Sequence, residues 1–296
     1  MNVRDLRDLV KAAAAGWVAD YAQSMGAALA FYTMFSIAPL LLIVISIAGL
    51  VFGDEAARGE IFGQLQEMLG ATGALAVQGL LESVRKPTES VTASAFGIGL
   101  LLIGATSVFG ELQDALDRIW RAPVRGPSLG LWGLARARLL SFGMILGIGF
   151  LLMVSLVASA ALAALRKWWG PLFSDWVAIA TGVEFASSLA LVTVVFAMIY
   201  KIMPRVRIAW KDVWIGAAVT SLMFTIGKVL IGLYIGRSGI ASGFGAAASL
   251  VVVLVWVYYS AQVFLFGAEF TWVYSHKFGS RKDHNQGNQG SATRSS

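Results

Sequence analysis

Gly245–Tyr274 reads GAAASLVVVLVWVYYSAQVFLFGAEFTWVY, a thirty-residue run in which Glu269 is the only charged side chain. As an α-helix it would extend about 45 Å, more than the roughly 30 Å of hydrocarbon in a bilayer. A surface helix of a soluble domain would carry a charged face, and this run has a single charge. It reads as a membrane span. Five more stretches of comparable character lie at Leu29–Phe52, Val91–Glu111, Leu139–Leu165, Trp176–Tyr200 and Val213–Ile235. The expected fold class is all-α: a polytopic membrane protein with six transmembrane helices.

Composition agrees. The 296-residue chain is 57% hydrophobic and 14% charged, against about 45–50% and about 25% for soluble domains. It has no cysteine, which excludes disulfides, thiolate zinc sites, iron–sulfur clusters and thiol nucleophiles together. The two histidines, His276 and His284, follow the last span and have no partner at metal-ligand spacing. Ser-His-Asp chemistry would need an ordered histidine within the bundle. Residues 239–245 are glycine-rich but follow an apolar helix and lack Gly-Lys-Ser/Thr, so no phosphate loop is indicated. No enzyme activity, metal or cofactor is expected.

The net charge of +6 is mostly topology. Of the 22 Lys and Arg outside the spans, 16 fall before the first span, between the second and third, between the fourth and fifth, or after the sixth. The positive-inside rule then places both termini in the cytoplasm, and a nucleic-acid partner becomes unnecessary.

Residues 1–28 carry Val3, Leu6, Val10, Ala13 and Trp17 at helical spacing opposite Arg4, Asp8 and Lys11, which predicts an amphipathic helix on the cytoplasmic interface. The transmembrane domain covers 29–278. Its first span starts too late and is too long for a signal peptide, and Pro39 within it predicts a bend. Residues 53–90 form an external loop in which Ile61, Leu65, Met68 and Leu69 suggest one or two short helices. Residues 279–296 lack apolar side chains except Ala292 and are expected to be a disordered cytoplasmic tail.

Polar residues within the spans fall on stripes at 100° per residue. They are Tyr32, Ser36, Pro39 and Ser46; Ser107, Glu111, Asp114 and Arg118; Thr181, Glu184 and Ser188; Ser221, Thr225, Lys228 and Gly232; and Tyr258, Gln262 and Glu269. Such stripes either hydrogen-bond helices together or line a polar cavity. In the cavity reading, Ser36, Pro39, Lys228, Tyr258 and Gln262 face a solute. Glu111, Asp114 and Glu269 then form a gate or ion-coupling site near the cytoplasmic ends, with Arg118, Arg138 or Lys201 in reach of the two glutamates. Glu184 and Lys228 each fall roughly 10–12 Å below the outer surface, so they are candidates for an intramembrane ion pair. Gly143 with Gly147, Gly232 with Gly236, and Gly245 with Ser249 have the spacing of close helix packing, within one chain or in a homo-oligomer.

Several blocks resemble the YihY/virulence factor BrkB family, also called ribonuclease BN-like. They are AALAFYTMFSIAPLL at 27–41, FGELQDALDRIW at 109–120, MPRVRIAWKDVWIGA at 203–217, YIGRSGIAS at 234–242 and LVWVYYSAQVFLFGAEFT at 254–271. The resemblance covers about residues 20–278 and implies a bacterial inner-membrane protein with six spans. It implies no defined activity, and the residues offer no nuclease metal site, so the ribonuclease label finds no support in them. Of the stripe residues, Ser36, Pro39, Glu111, Lys228, Tyr258, Gln262 and Glu269 lie in or beside the resembling blocks; Glu184 rests on the depth argument alone.

Two functions remain open. One is a transporter or flippase-like protein, in contact with membrane lipids, that moves a small polar or amphipathic solute. The other is a non-transporting envelope assembly protein that docks a partner through its loops.

Overall fold

The computed structural model describes residues 2–84, 107–123, 176–237 and 248–282. All the elements among them are helices, with no strand: α1 Val3–Ala19, α2 Ala22–Phe52, α3 Asp54–Val84, α4 at 107–119, α5 Trp176–Ile202, α6 Trp210–Arg237 and α7 Ala248–Lys277. The expected span at 139–165, most of that at 91–111, the glycine-rich stretch 239–245 and the tail from 283 lie outside the described residues. Among the described residues, three helices contain stretches long and apolar enough to cross a membrane, at Phe185–Ile202, Trp210–Ile235 and Leu250–Lys277.

Helix boundaries have local causes. At the start of α1 the Asn2 N–H donates to the Asp5 carboxylate at 2.7 Å, which places an acid at the positive end of the helix. The chain leaves α1 through Asp20, whose N–H donates to the Gly16 carbonyl at 2.8 Å. Tyr21 then adopts a left-handed conformation, φ 57°, and turns the chain into α2. Pro39 lies within α2, which continues past it to Phe52. At its end the Gly53 N–H bonds the Gly49 carbonyl at 2.9 Å with φ at 86°, a conformation that a Cβ would strain.

Beyond Gly53 the structure departs from expectation. In place of one or two short helices over 53–90, α3 runs as a single helix of 31 residues. The reason is burial along its length. Val77 and Leu81 of α3 pack with Ile45 of α2 and Val253 of α7, and Ile61, Phe62 and Leu65 extend the contact. Tertiary packing of this kind, more than propensity, sustains long helices.

The chain forms two compact units: Met1–Arg121 with Met223–Val273, and Ala122–Leu222 with Tyr274–Ser296. In the first, a second apolar cluster joins Ile231 and Ile235 of α6 to Val252 and Trp256 of α7, with Phe224 set edge-on to Trp256 at 5.9 Å. In the second, hydroxyl pairs tie α5 to the first half of α6: Thr193 with Ser221 at 2.7 Å and Tyr200 with Thr220 at 3.1 Å. Hydroxyls bridging apolar helices are a common membrane adhesive.

The disorder expected from 279 onward does not begin there. The Gly279 N–H returns to the Tyr274 carbonyl at 2.9 Å. Ser280 donates its hydroxyl to Asp212 Oδ2 at 2.6 Å and its N–H to the same oxygen at 3.2 Å. Asp212, in the first turn of α6, is buried at 2% exposure. A buried carboxylate needs donors, and the segment after α7 supplies them.

Candidate functional site

Within the first unit, α1, the α1–α2 turn, the end of α4 and α7 meet around one carboxyl group. Glu269 of α7 is 1% exposed. It lies so close to α1 that a Cβ on Gly16 would stand 2.6 Å from its Oε2; glycine at 16 is what admits the carboxyl. Asp20, at the C-terminal cap of α1, acts electrostatically on Glu269 and is itself buried. Arg121 donates from its Nη1 to Asp20 Oδ1 at 2.6 Å and lies over the Trp272 ring at 5.8 Å. Like Tyr21, Arg121 has positive φ, 51°. The neighbouring Arg118 guanidinium lies over Tyr21 at 5.5 Å.

This arrangement sets two carboxyl groups against one guanidinium. Arg121 is about half in solvent, its side chain 54% exposed, whereas that of Asp20 is 6% exposed. Among the described residues, Glu269 Oε1 and Asp20 Oδ2 are buried without a hydrogen-bond partner, as is the Trp17 indole N–H next to Gly16. Leaving such groups unpaired is costly. Among the described residues the site has spare acceptor oxygens and one guanidinium for two carboxyl groups, and such a site can take up a proton or a small cation.

Seven residues before Glu269, two helical turns along α7, Gln262 meets α2. Its Nε2 donates to the Gln23 carbonyl at 3.4 Å, and a Cβ on Gly26 would overlap that nitrogen. Gln262 Oε1 is buried without a partner. α7 thus presents Gln262 and Glu269 on one face, each against a glycine.

The other sequence candidates are placed as follows. Ser36 is buried, and its hydroxyl donates to the Thr33 carbonyl of its own helix at 3.2 Å. Tyr258 is 36% exposed, and Lys228 of α6 is half-buried. Glu111 and the exposed Asp114 are neighbours on α4 and act on each other electrostatically. The side chains of Pro39 and Glu184 lie outside the described residues, and with them the Glu184–Lys228 pairing.

Asp20, Arg121 and Gly16 escaped the sequence reading. One signal was available: Leu9, Ala13, Gly16 and Asp20 fall within about 60° of arc on a helical wheel. That flank is the buried one, with Leu9 and Ala13 at 0% exposure. Most of the apolar face read from the sequence stands beside it, with Val3, Leu6 and Val10 at 86%, 44% and 42% exposure. Among the described residues, the cation acting on Glu269 is Arg121, where the sequence suggested Arg118, Arg138 or Lys201; Arg138 lies outside the described residues.

Long apolar helices that enclose a buried acid cluster define a helical membrane protein. The family model described as virulence factor BrkB matches residues 13–291, and the chain belongs to that family. A UPF0761 membrane protein of Pseudomonas aeruginosa strain LESB58 is 27% identical over 258 residues, 85% of this chain and 59% of the relative. A UPF0761 membrane protein of Psychromonas ingrahamii is 27% identical over 264 residues, 87% of this chain and 84% of the relative. The UPF0761 membrane protein YihY of Escherichia coli O1:K1 is 30% identical over 205 residues, 69% of this chain and 66% of the relative. The chain spans 59% of the length of the Pseudomonas aeruginosa relatives. No solved structure matches it.

Proposed function

We propose that this protein is an ion-coupled transporter or flippase-like protein of the bacterial inner membrane, with six spans and cytoplasmic termini, that moves a small polar or amphipathic solute. The observation that carries the reading is the Glu269–Asp20–Arg121 cluster. An ionisable residue in the hydrocarbon costs roughly 2.5–3.5 kcal/mol on insertion scales, and such residues mark ion or solute pathways. Glu269 sits in a membrane-capable helix, 1% exposed, with one carboxylate oxygen unpartnered. It is the coupling group. Gln262, Tyr258, Ser36, Pro39 and Lys228 are the solute-side groups, and Glu111 with Asp114 is a second acidic pair toward the cytoplasm. No nucleotide, metal or nucleic acid takes part, and the protein is not an enzyme.

The absence of native cysteine makes the test direct. Single cysteines at 36, 111, 258, 262 and 269 are exposed to a membrane-impermeant thiol reagent, with cysteines at Leu230 and Leu233 as apolar controls. Positions 36 and 269 are closed in this structure, so their labelling reports opening. The reading expects labelling at these five positions above the controls. In proteoliposomes it also expects solute flux or lipid scrambling that responds to an imposed pH gradient and loses that response in Glu269→Gln. Uniform protection together with no flux would refute it in favour of a non-transporting envelope assembly protein.

A further inference from the structure

The second unit holds a basic cavity that the transport reading does not use. Three membrane-capable stretches end or begin around it, at Ile202, Trp210 and Lys277. The cavity has a volume of about 660 Å³ and is lined by Arg207, Ile208, Ala209, His276, Ser280 and Arg281. Two arginines, a histidine and a serine therefore line one space.

The walls are tied in place through backbone carbonyls. Arg281 Nη2 donates to the Arg207 carbonyl at 3.0 Å, and Lys201 Nζ donates to the Ile208 carbonyl while lying over the Trp210 ring at 5.3 Å. Among the described residues at this end, the acid is Asp212, set against three arginine and histidine side chains of the lining. It is buried, and its carboxylate accepts from Ser280. Arg205, Lys211, Lys277 and Lys282 add exposed positive charge nearby; Asp283 follows outside the described residues. Trp210 and Trp214, 50% and 44% exposed, stand at the start of α6 as aromatic side chains do at the headgroup level of a bilayer.

We propose that this cavity binds a phosphate group, and its place at the ends of three apolar helices makes the phosphate that of a phospholipid headgroup. Arginine recognises phosphate through paired N–H donors, and basic pockets between membrane helices hold anionic headgroups. The site requires only that the protein lie in a membrane, and it stands or falls independently of transport.

The test uses the full chain purified in detergent and native mass spectrometry with added phosphatidylglycerol, phosphatidylcholine or inorganic phosphate. The wild type is expected to retain phosphatidylglycerol, and Arg207→Gln to lower its occupancy about fivefold, the effect of one basic group at a membrane surface. Arg207→Gln keeps the carbonyl that accepts from Arg281, so the wall stays tied. Arg207→Lys, which restores charge, checks folding independently and should recover part of the loss. Arg205→Gln removes an equal charge outside the lining and should leave occupancy within about twofold of wild type. If inorganic phosphate binds with the same Arg207 dependence and no lipid is retained, the cavity takes a free anion and the phosphate assignment holds without the lipid. If neither ligand depends on Arg207, or Arg205→Gln has an equal effect, the proposal is overturned.

Discussion

Replacing Arg121 by Gln and Asp20 by Asn, singly and together, measures the acid cluster. The Arg121 to Asp20 contact is 2.6 Å long, a charge-assisted hydrogen bond of a kind that contributes about 1.5–3 kcal/mol. Arg121 is 54% exposed, so solvent screening reduces its share and the coupling should be about 1–2 kcal/mol. Arg121→Gln alone should cost more, about 2–3 kcal/mol, because it leaves Asp20 buried beside Glu269 without its cation. Asp20→Asn removes that orphaned charge. On the Arg121→Gln background it should therefore be neutral or stabilising, although on the wild type it destabilises by about 1–2 kcal/mol. Reversible unfolding in mixed micelles, followed by tryptophan fluorescence, gives the four free energies of the cycle. Strict additivity of the two substitutions, with coupling below about 0.3 kcal/mol, would refute the cluster as a unit.

Three further outcomes concern glycines. A Cβ at Gly26 overlaps Gln262 Nε2, so Gly26→Ala should cost about 1–2 kcal/mol and Gln262→Ala on that background should recover most of it in the same assay; absence of rescue would place the clash elsewhere. At Gly279 a Cβ would stand 2.7 Å from the Ser275 Cα, a backbone atom that cannot swing aside. Gly279→Ala should thus release residues 278–282 to protease or hydrogen exchange more than Ser280→Ala, which removes one hydroxyl bond of about 1 kcal/mol; equal protection in the two variants would contradict this. Gly53→Ala, at φ 86° and ψ 146°, should destabilise by about 1–3 kcal/mol, and an unchanged unfolding free energy would show that the positive φ is not what constrains this position.

Legibility in the sequence followed periodicity and length. The apolar runs at 176–200, 213–235 and 245–274 appear as α5, α6 and α7 with ends shifted by three residues or fewer, because an uninterrupted apolar run of that length has one stable conformation in hydrocarbon. The reading of 53–90 as a loop with short helices failed for α3. Its charged residues and glycines suggested interruption, but Val77 and Leu81 find partners on α2 and α7. Residues 279–282 also looked disordered from composition, since Asp212 lies some seventy positions upstream and nothing local announces it. Glu269 and Gln262 were visible as polar interruptions of an apolar run. Gly16, Asp20 and Arg121 were not, because each is ordinary in its own neighbourhood.

The chain's residues in order were thus enough to establish that this is a helical membrane protein and to pick out Glu269 as a charge in the wrong solvent, because burial in a bilayer depends on composition over a single helix. Which groups surround that charge was a matter of three dimensions. Asp20 and Arg121 are 101 positions apart in the chain, and Asp20 is more than 200 from Glu269. They meet because Gly16 lets α1 approach α7 and because Tyr21 and Arg121 turn the backbone through left-handed conformations. A contact of that kind arises from packing between helices, which no single helix encodes.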